Sequence, residues 1–181
     1  MERLMTPQPL SDKEVLKIIN GDADLVAYDE LGRYGSLEQL LGRKGAVILL
    51  YITDVLPDGD VFGHWTCIFR APGQKNLVSF FDPYGNAPDY SLNFMSEKAL
   101  RQYGNEPLLT YLLRDFIDRG GRVNYSRYPL QKHDKSNAIC GRMTALRLGF
   151  RYLDNDAFAQ FMNSYPGLSS DQLAVLLTAL F

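Results

Sequence analysis

The stretch His64-Trp65-Thr66-Cys67-Ile68-Phe69-Arg70, followed after Ala71-Pro72-Gly73 by Leu77-Val78-Ser79-Phe80-Phe81-Asp82, decides the fold. Both runs are rich in β-branched and aromatic residues and a Pro-Gly turn separates them, so they read as an antiparallel hairpin. Such pairing puts His64, which opens the first strand, at the same sheet end as Asp82, which closes the second. Upstream, Ala46-Val47-Ile48-Leu49-Leu50-Tyr51-Ile52 is continuously apolar, as expected of a central strand buried on both faces. The turn-rich Leu56-Pro57-Asp58-Gly59-Asp60 divides it from the hairpin.

Further out, helix signals dominate. Ser11-Asp12-Lys13-Glu14 is a capping box ahead of Val15, Leu16, Ile18 and Ile19, with Asn20-Gly21 as the stop. Ser36-Leu37-Glu38-Gln39 repeats the pattern for a short helix ending near Gly42. Leu108, Leu109, Leu112 and Phe116 recur at helical spacing within 105–119, ended by Gly120-Gly121, and a strand is expected over 122–128. Cys140 to Leu153 reads as a helix with Gly149 weakening its middle. Ser169-Ser170-Asp171-Gln172 caps a last helix with Leu173, Leu176, Leu177 and Leu180 as its apolar stripe. The expectation is an α+β fold: a central mixed, largely antiparallel β-sheet flanked by helices, with Cys140 at the N-terminus of a core helix. A single domain over 1–181 fits the length of 181 residues.

Composition narrows the function. Hydrophobic residues at 46% and charged residues at 22% are those of a globular chain. No apolar run approaches the ~20 residues that span a bilayer, and Met1-Glu2-Arg3 leads into no signal-peptide core, so a soluble, unexported protein with no membrane contact is expected. The formal charge of −2 argues against a dedicated nucleic-acid binder. Arg114, Arg119, Arg122, Arg127, Lys132 and Lys135 nonetheless cluster in sequence and allow a weak DNA contact if the fold gathers them. Arg142, Arg147 and Arg151 read as solvated helix charges. Two cysteines and two histidines without close spacing make no zinc site, and no metal or cofactor is expected.

A nucleophilic thiol needs a base, a carboxylate to orient that base, and donors for the oxyanion. His64, Asp82 and Cys140 supply the first three types. Cys140 sits where a loop becomes a helix, whose unpaired N–H groups favour thiolate, and Gly141 leaves room for a substrate carbonyl. Cys67, inside a hydrophobic strand, reads as an inert core thiol. His133, in a polar loop, has no carboxylate-bearing strand end facing it and reads as a bystander.

His-Trp at a strand start, an apolar strand ending in Asp82-Pro83-Tyr84-Gly85, then Gln131 and Cys140-Gly141-Arg142 opening a helix resemble, in that order, the adenovirus-protease and SUMO-protease superfamily of cysteine peptidases. The likeness covers about residues 46–153 and is greatest to the adenovirus-type maturation proteases of DNA viruses and virophages. It implies His64 as general base, Asp82 as its orienting carboxylate, Cys140 as nucleophile, and the Gln131 amide with the Cys140 N–H as oxyanion hole. Trp65 would pack beside the histidine and shield the site. Eight positions separate Gln131 from Cys140, more than the pattern has, which leaves Asn137 as an alternative amide.

The resemblance implies an endopeptidase that matures virion capsid or core precursors at small residues, in the host cytoplasm or the virion interior. Removal of ubiquitin-like or SUMO-like modifiers is the alternative hydrolase. Acetyl transfer, for which no cofactor motif is present, and a noncatalytic binding module on the same fold are the other classes.

Overall fold

The structure, a computed structural model, describes residues 10–133, 138–179 and 181. Asn137, Lys135 and Leu180 lie outside the described residues.

Five strands form one mixed sheet in sequence order: β1 (Asp24–Ala27), β2 (Ala46–Val55), β3 (Val61–Arg70), β4 (Leu77–Phe81) and β5 (Arg122–Tyr125). The two inner pairings, β2 with β3 and β3 with β4, are antiparallel, and the two outer ones are parallel. The expected α+β class therefore holds. β2 is internal as expected, although β3 is the middle strand.

The β3–β4 hairpin forms as read, with Cys67 opposite Phe81 and Arg70 opposite Val78. One expectation is corrected. His64 does not open its strand, because β3 starts at Val61 and pairs with β2 as far as Val55 opposite Val61. The Leu56–Asp60 segment closes this second hairpin, with the Leu56 N–H donating to the Asp60 carbonyl at 2.7 Å. Gly59 supplies the positive φ, +92°, that the turn needs.

Alternation along β2 divides the molecule into two cores. Ala46 and Ile48 join the cluster on one face, where α1 (Asp12–Ile18), α5 (Cys140–Gly149), α6 (Asn155–Asn163) and α7 (Ser170–Thr178) pack. Val47, Leu49 and Tyr51 join the other, covered by the 3-10 turn Tyr28–Arg33, α2 (Leu37–Leu41) and α4 (Leu108–Asp118). A strand with both faces covered has no place for alternating polar residues, which explains the unbroken apolar run.

The capping boxes at Ser11 and Ser169 form as read, and Ser36 accepts from the Gln39 N–H at 3.2 Å. Sequence signals missed β1, α6 and the short α3 (Glu97–Tyr103). Two further expectations are corrected. Gly149 ends α5 instead of weakening its middle, and α7 buries Leu173, Ala174 and Thr178 while Leu176 is exposed.

Arg147 also departs from its reading as a solvated charge: it is fully buried. Its guanidinium donates to the Phe150 carbonyl at 3.1 Å and the Leu153 carbonyl at 3.0 Å, acceptors left over where α5 ends. It lies over the Phe69 and Phe158 rings at 4.7 and 4.9 Å. Burial pushes its pKa down to about 10. Arg147 thereby pins α5 to β3 and α6, and through α5 it holds Cys140 at the far end of that helix.

Candidate active site

β4 stops opposite Cys67, so His64, Trp65 and Thr66 have no β4 partner, and the chain leaves the sheet there through Asp82-Pro83-Tyr84-Gly85. The turn is tight: the Gly85 N–H donates to the Asp82 carbonyl at 2.8 Å, and Gly85 takes φ +75°. A Cβ on Gly85 would meet the Arg127 carbonyl at 2.9 Å, so the position accepts only glycine. Asp82 Oδ1 receives the Tyr84 N–H at 2.8 Å and lies 2.8 Å from His64 Nε2. Turn capping and imidazole orientation are thus one carboxylate oxygen acting twice.

His64 and Asp82 are both buried. With Nε2 on Asp82, the other ring nitrogen is left for the Cys140 thiol, which is near enough to act on the charge of the ring. Burial alone would push the His64 pKa down. The hydrogen bonds and charges of Asp82 and Cys140 outweigh it and hold the imidazole up at about 9. Cys140 is the first residue of α5 and half-buried, at the end of the helix where backbone N–H groups lack intrahelical acceptors.

Gly141 is buried, and the room it leaves is taken by protein. A Cβ there would sit 3.2 Å from Val15 Cγ2 and 3.4 Å from Trp65 Cδ1. The glycine lets the first turn of α5 settle on Trp65, and it lines the cleft as well. Trp65 is fastened from the other side, where the Thr144 hydroxyl donates to its carbonyl at 3.1 Å. His64, Trp65, Cys140 and Gly141 all open onto one cleft of about 880 Å³. Exposed Val61, Phe62 and Phe94 line it further along.

Gln131 is buried and is not among the residues lining that cleft. Its backbone N–H and that of Leu130 both donate to the Pro83 carbonyl, at 2.9 and 3.0 Å. Its side-chain Nε2 donates to the Tyr84 hydroxyl at 3.4 Å. The Asp-Pro-Tyr-Gly turn therefore locates the amide as well as the carboxylate.

Sequence reasoning missed Tyr84. Its ring stacks on His64 with centroids 4.5 Å apart, and His133 stacks on it in turn at 3.9 Å. The only sequence signal was its place in the turn. His133 thus stands one ring away from His64, exposed, and no ion pair joins it to a carboxylate among the described residues. Cys67 is buried where it was expected, in mid-strand, and burial pushes its thiol up to about 12.

Two of the basic residues already have partners. Arg119 is paired with Glu38 at 2.8 Å and Asp115 at 2.7 Å, and Arg127 lies over the Tyr125 ring. No group of three His, Cys, Asp or Glu among the described residues is placed to hold a metal ion. No helix among them is long and apolar enough to cross a membrane.

No family model matches the chain. It is similar to "Uncharacterized protein V9" of Sputnik virophage, 29% identical over 174 residues that cover 93% of each chain. The relation is therefore to a viral protein along nearly the whole length.

Proposed function

We propose that the protein is a cysteine peptidase in which Cys140 is the nucleophile, His64 the general base and Asp82 its orienting group. The observation that carries the reading is that His64, held by Asp82 Oδ1 at 2.8 Å through Nε2, shares the mouth of one cleft with the Cys140 thiol, which acts on the same imidazole. Neither a packing histidine nor a turn-capping aspartate requires a thiol at a helix N-terminus on the other side of the ring.

The chemistry follows from this order. His64 takes the Sγ proton, and the thiolate adds to the scissile carbonyl. The oxyanion is met by the Cys140 backbone N–H and the Gln131 amide. The C–N bond breaks as the imidazolium returns its proton to the departing amine, leaving a thioester. Water, deprotonated by His64, then adds to the thioester, the C–S bond breaks and the carboxylic acid leaves. No metal or redox partner enters the balance.

The substrate in this reading is a polypeptide with small residues at the cleavage site, supplied by virion capsid or core precursors. The virophage relative supports a viral setting over removal of host modifiers. Contact with DNA is weak and salt-sensitive in this reading, since a chain of formal charge −2 with Arg119 neutralised has little to offer phosphates. The test is mass spectrometry of products after incubation with precursor proteins, beside the Cys140→Ala variant. Product termini that vanish with Cys140 support the reading, and identical products from both proteins would sink it.

A further inference from the structure

We propose that Tyr84 is a positioning residue that couples the base to the oxyanion amide, gripping His64 with its ring, Asp82 with its backbone N–H and Gln131 with its hydroxyl. The inference rests on the peptidase reading above and assigns a control element within that site. Three contacts carry it: ring centroids 4.5 Å apart on His64, the Tyr84 N–H 2.8 Å from Asp82 Oδ1, and Gln131 Nε2 3.4 Å from the Tyr84 hydroxyl. Tyr84 touches all three. The groups that face His64 are Asp82, Cys140 and the Tyr84 ring, with His133 beyond that ring at 3.9 Å.

The arrangement answers a mechanical problem. During turnover His64 must take a proton from sulfur and give it to a leaving amine without swinging out of line. A bond to Asp82 fixes one nitrogen but leaves the ring able to tilt about it. An aromatic plane at an interplanar angle of 17° restrains that tilt, and its negative face favours the imidazolium over the neutral ring. His133, at 15° on the opposite side, holds the Tyr84 ring in the same orientation. The hydroxyl then transmits the position of this stack to the Gln131 amide. Base and oxyanion donor move as a unit because one side chain holds both.

Separating ring from hydroxyl tests the idea with two readouts: the pH profile of iodoacetamide alkylation of Cys140, and hydrolysis of p-nitrophenyl acetate. Tyr84→Phe keeps the stack and should leave the alkylation profile unchanged while slowing ester hydrolysis roughly tenfold, a fraction of a full oxyanion-donor loss. Added to Gln131→Ala, it should cost nothing more, because the hydroxyl acts through that amide. Tyr84→Leu removes the stack and should displace the alkylation profile from that of the wild type. Tyr84→Trp should bring it back.

Multiplying losses in the Tyr84→Phe/Gln131→Ala pair, or a wild-type alkylation profile in Tyr84→Leu, would overturn the proposal. Should Tyr84→Leu fail to fold, the Phe/Ala pair decides alone. A wild-type Cys140 that alkylates no faster than an ordinary thiol would defeat the peptidase reading and this inference together. A reactive Cys140 whose behaviour ignores Tyr84 defeats this inference only.

Discussion

The middle of β3 and the first turn of α5 each present one cysteine, and the two settings are chemical opposites. Cys67 is wholly buried in the core between sheet and helices, and desolvation, little offset by the charge of Arg147, drives its thiol up to about 12. Cys140 is half-buried at a helix N-terminus, electrostatically coupled to His64, and open to the cleft. The residue type is the same, so neighbours alone separate a small core hydrophobe from the proposed nucleophile. Both sites rest on β3: Cys67 faces the core, and His64, three residues earlier, passes the point where β4 ends and so can be met by another element.

The largest effect expected from this contrast lies in the thiols themselves. Cys140→Ala should abolish Cys140-dependent cleavage entirely, while Cys67→Ala keeps it. Iodoacetamide on the native protein should label Cys140 alone, with Cys67 reacting only after unfolding. Peptide mapping of the alkylated protein measures this, and a native label on Cys67 would erase the distinction.

Next in size is the base. General-base catalysis contributes typically about 10²–10⁴-fold, so His64→Ala should lower turnover by at least that range and Asp82→Asn by less. Because the imidazole is held up at about 9 and a base takes the thiol proton only in its neutral form, kcat/KM should rise through a limb near that pH. Asp82→Asn should move the limb to lower pH, which a pH–rate series reads directly. The same shift has a stability consequence with a definite sign. A histidine whose pKa rises on folding from the ordinary 6.5 to about 9 stabilises the fold fully below about 6.5, and that contribution fades as pH climbs through 9. Denaturant titrations between pH 6 and 10 should show the decline in the wild type and a flatter profile in His64→Ala.

Third comes the amide. Loss of one oxyanion donor costs about 2.7–4 kcal/mol of transition-state stabilisation, so Gln131→Ala should reduce kcat about 10²- to 10³-fold with little change in KM. An unaltered kcat would return the oxyanion role to the backbone N–H alone.

How much of this was legible in sequence depends on whether a feature is local. The caps at Ser11 and Ser169, the apolar β2 run and the β3–β4 hairpin are written in consecutive residues, and they form as read. His64 and Asp82 were brought together by that hairpin register, which is a local inference too. The features that escaped depend on packing between distant segments. β1 is four residues long and exists through parallel pairing with β2. Arg147 looks like any helix-surface arginine until the ends of α5 and α6 enclose it with carbonyls and rings. Tyr84 lay in plain view inside a turn motif, but the contacts behind its proposed role come from His64 and Gln131, 20 positions upstream and 47 downstream. The excess spacing between Gln131 and Cys140 was legible as a departure, and the Pro83 carbonyl explains how Gln131 is held in place despite that spacing.

The smallest effect expected sharpens the comparison from its inert side. Cys67→Ala removes one sulfur from a sealed site beside Phe81 and Phe69, and it leaves no polar group unpaired. Removing a buried group of this size costs about 1–2 kcal/mol through lost contacts and incomplete collapse. Urea unfolding should therefore show a lower midpoint with an unchanged m-value, since the surface exposed on unfolding is the same. The alkylation profile of Cys140 in that variant should superimpose on the wild type. A shifted profile would mean that the packing of mid-β3 reaches His64 along the strand, and the two thiols would then be energetically linked.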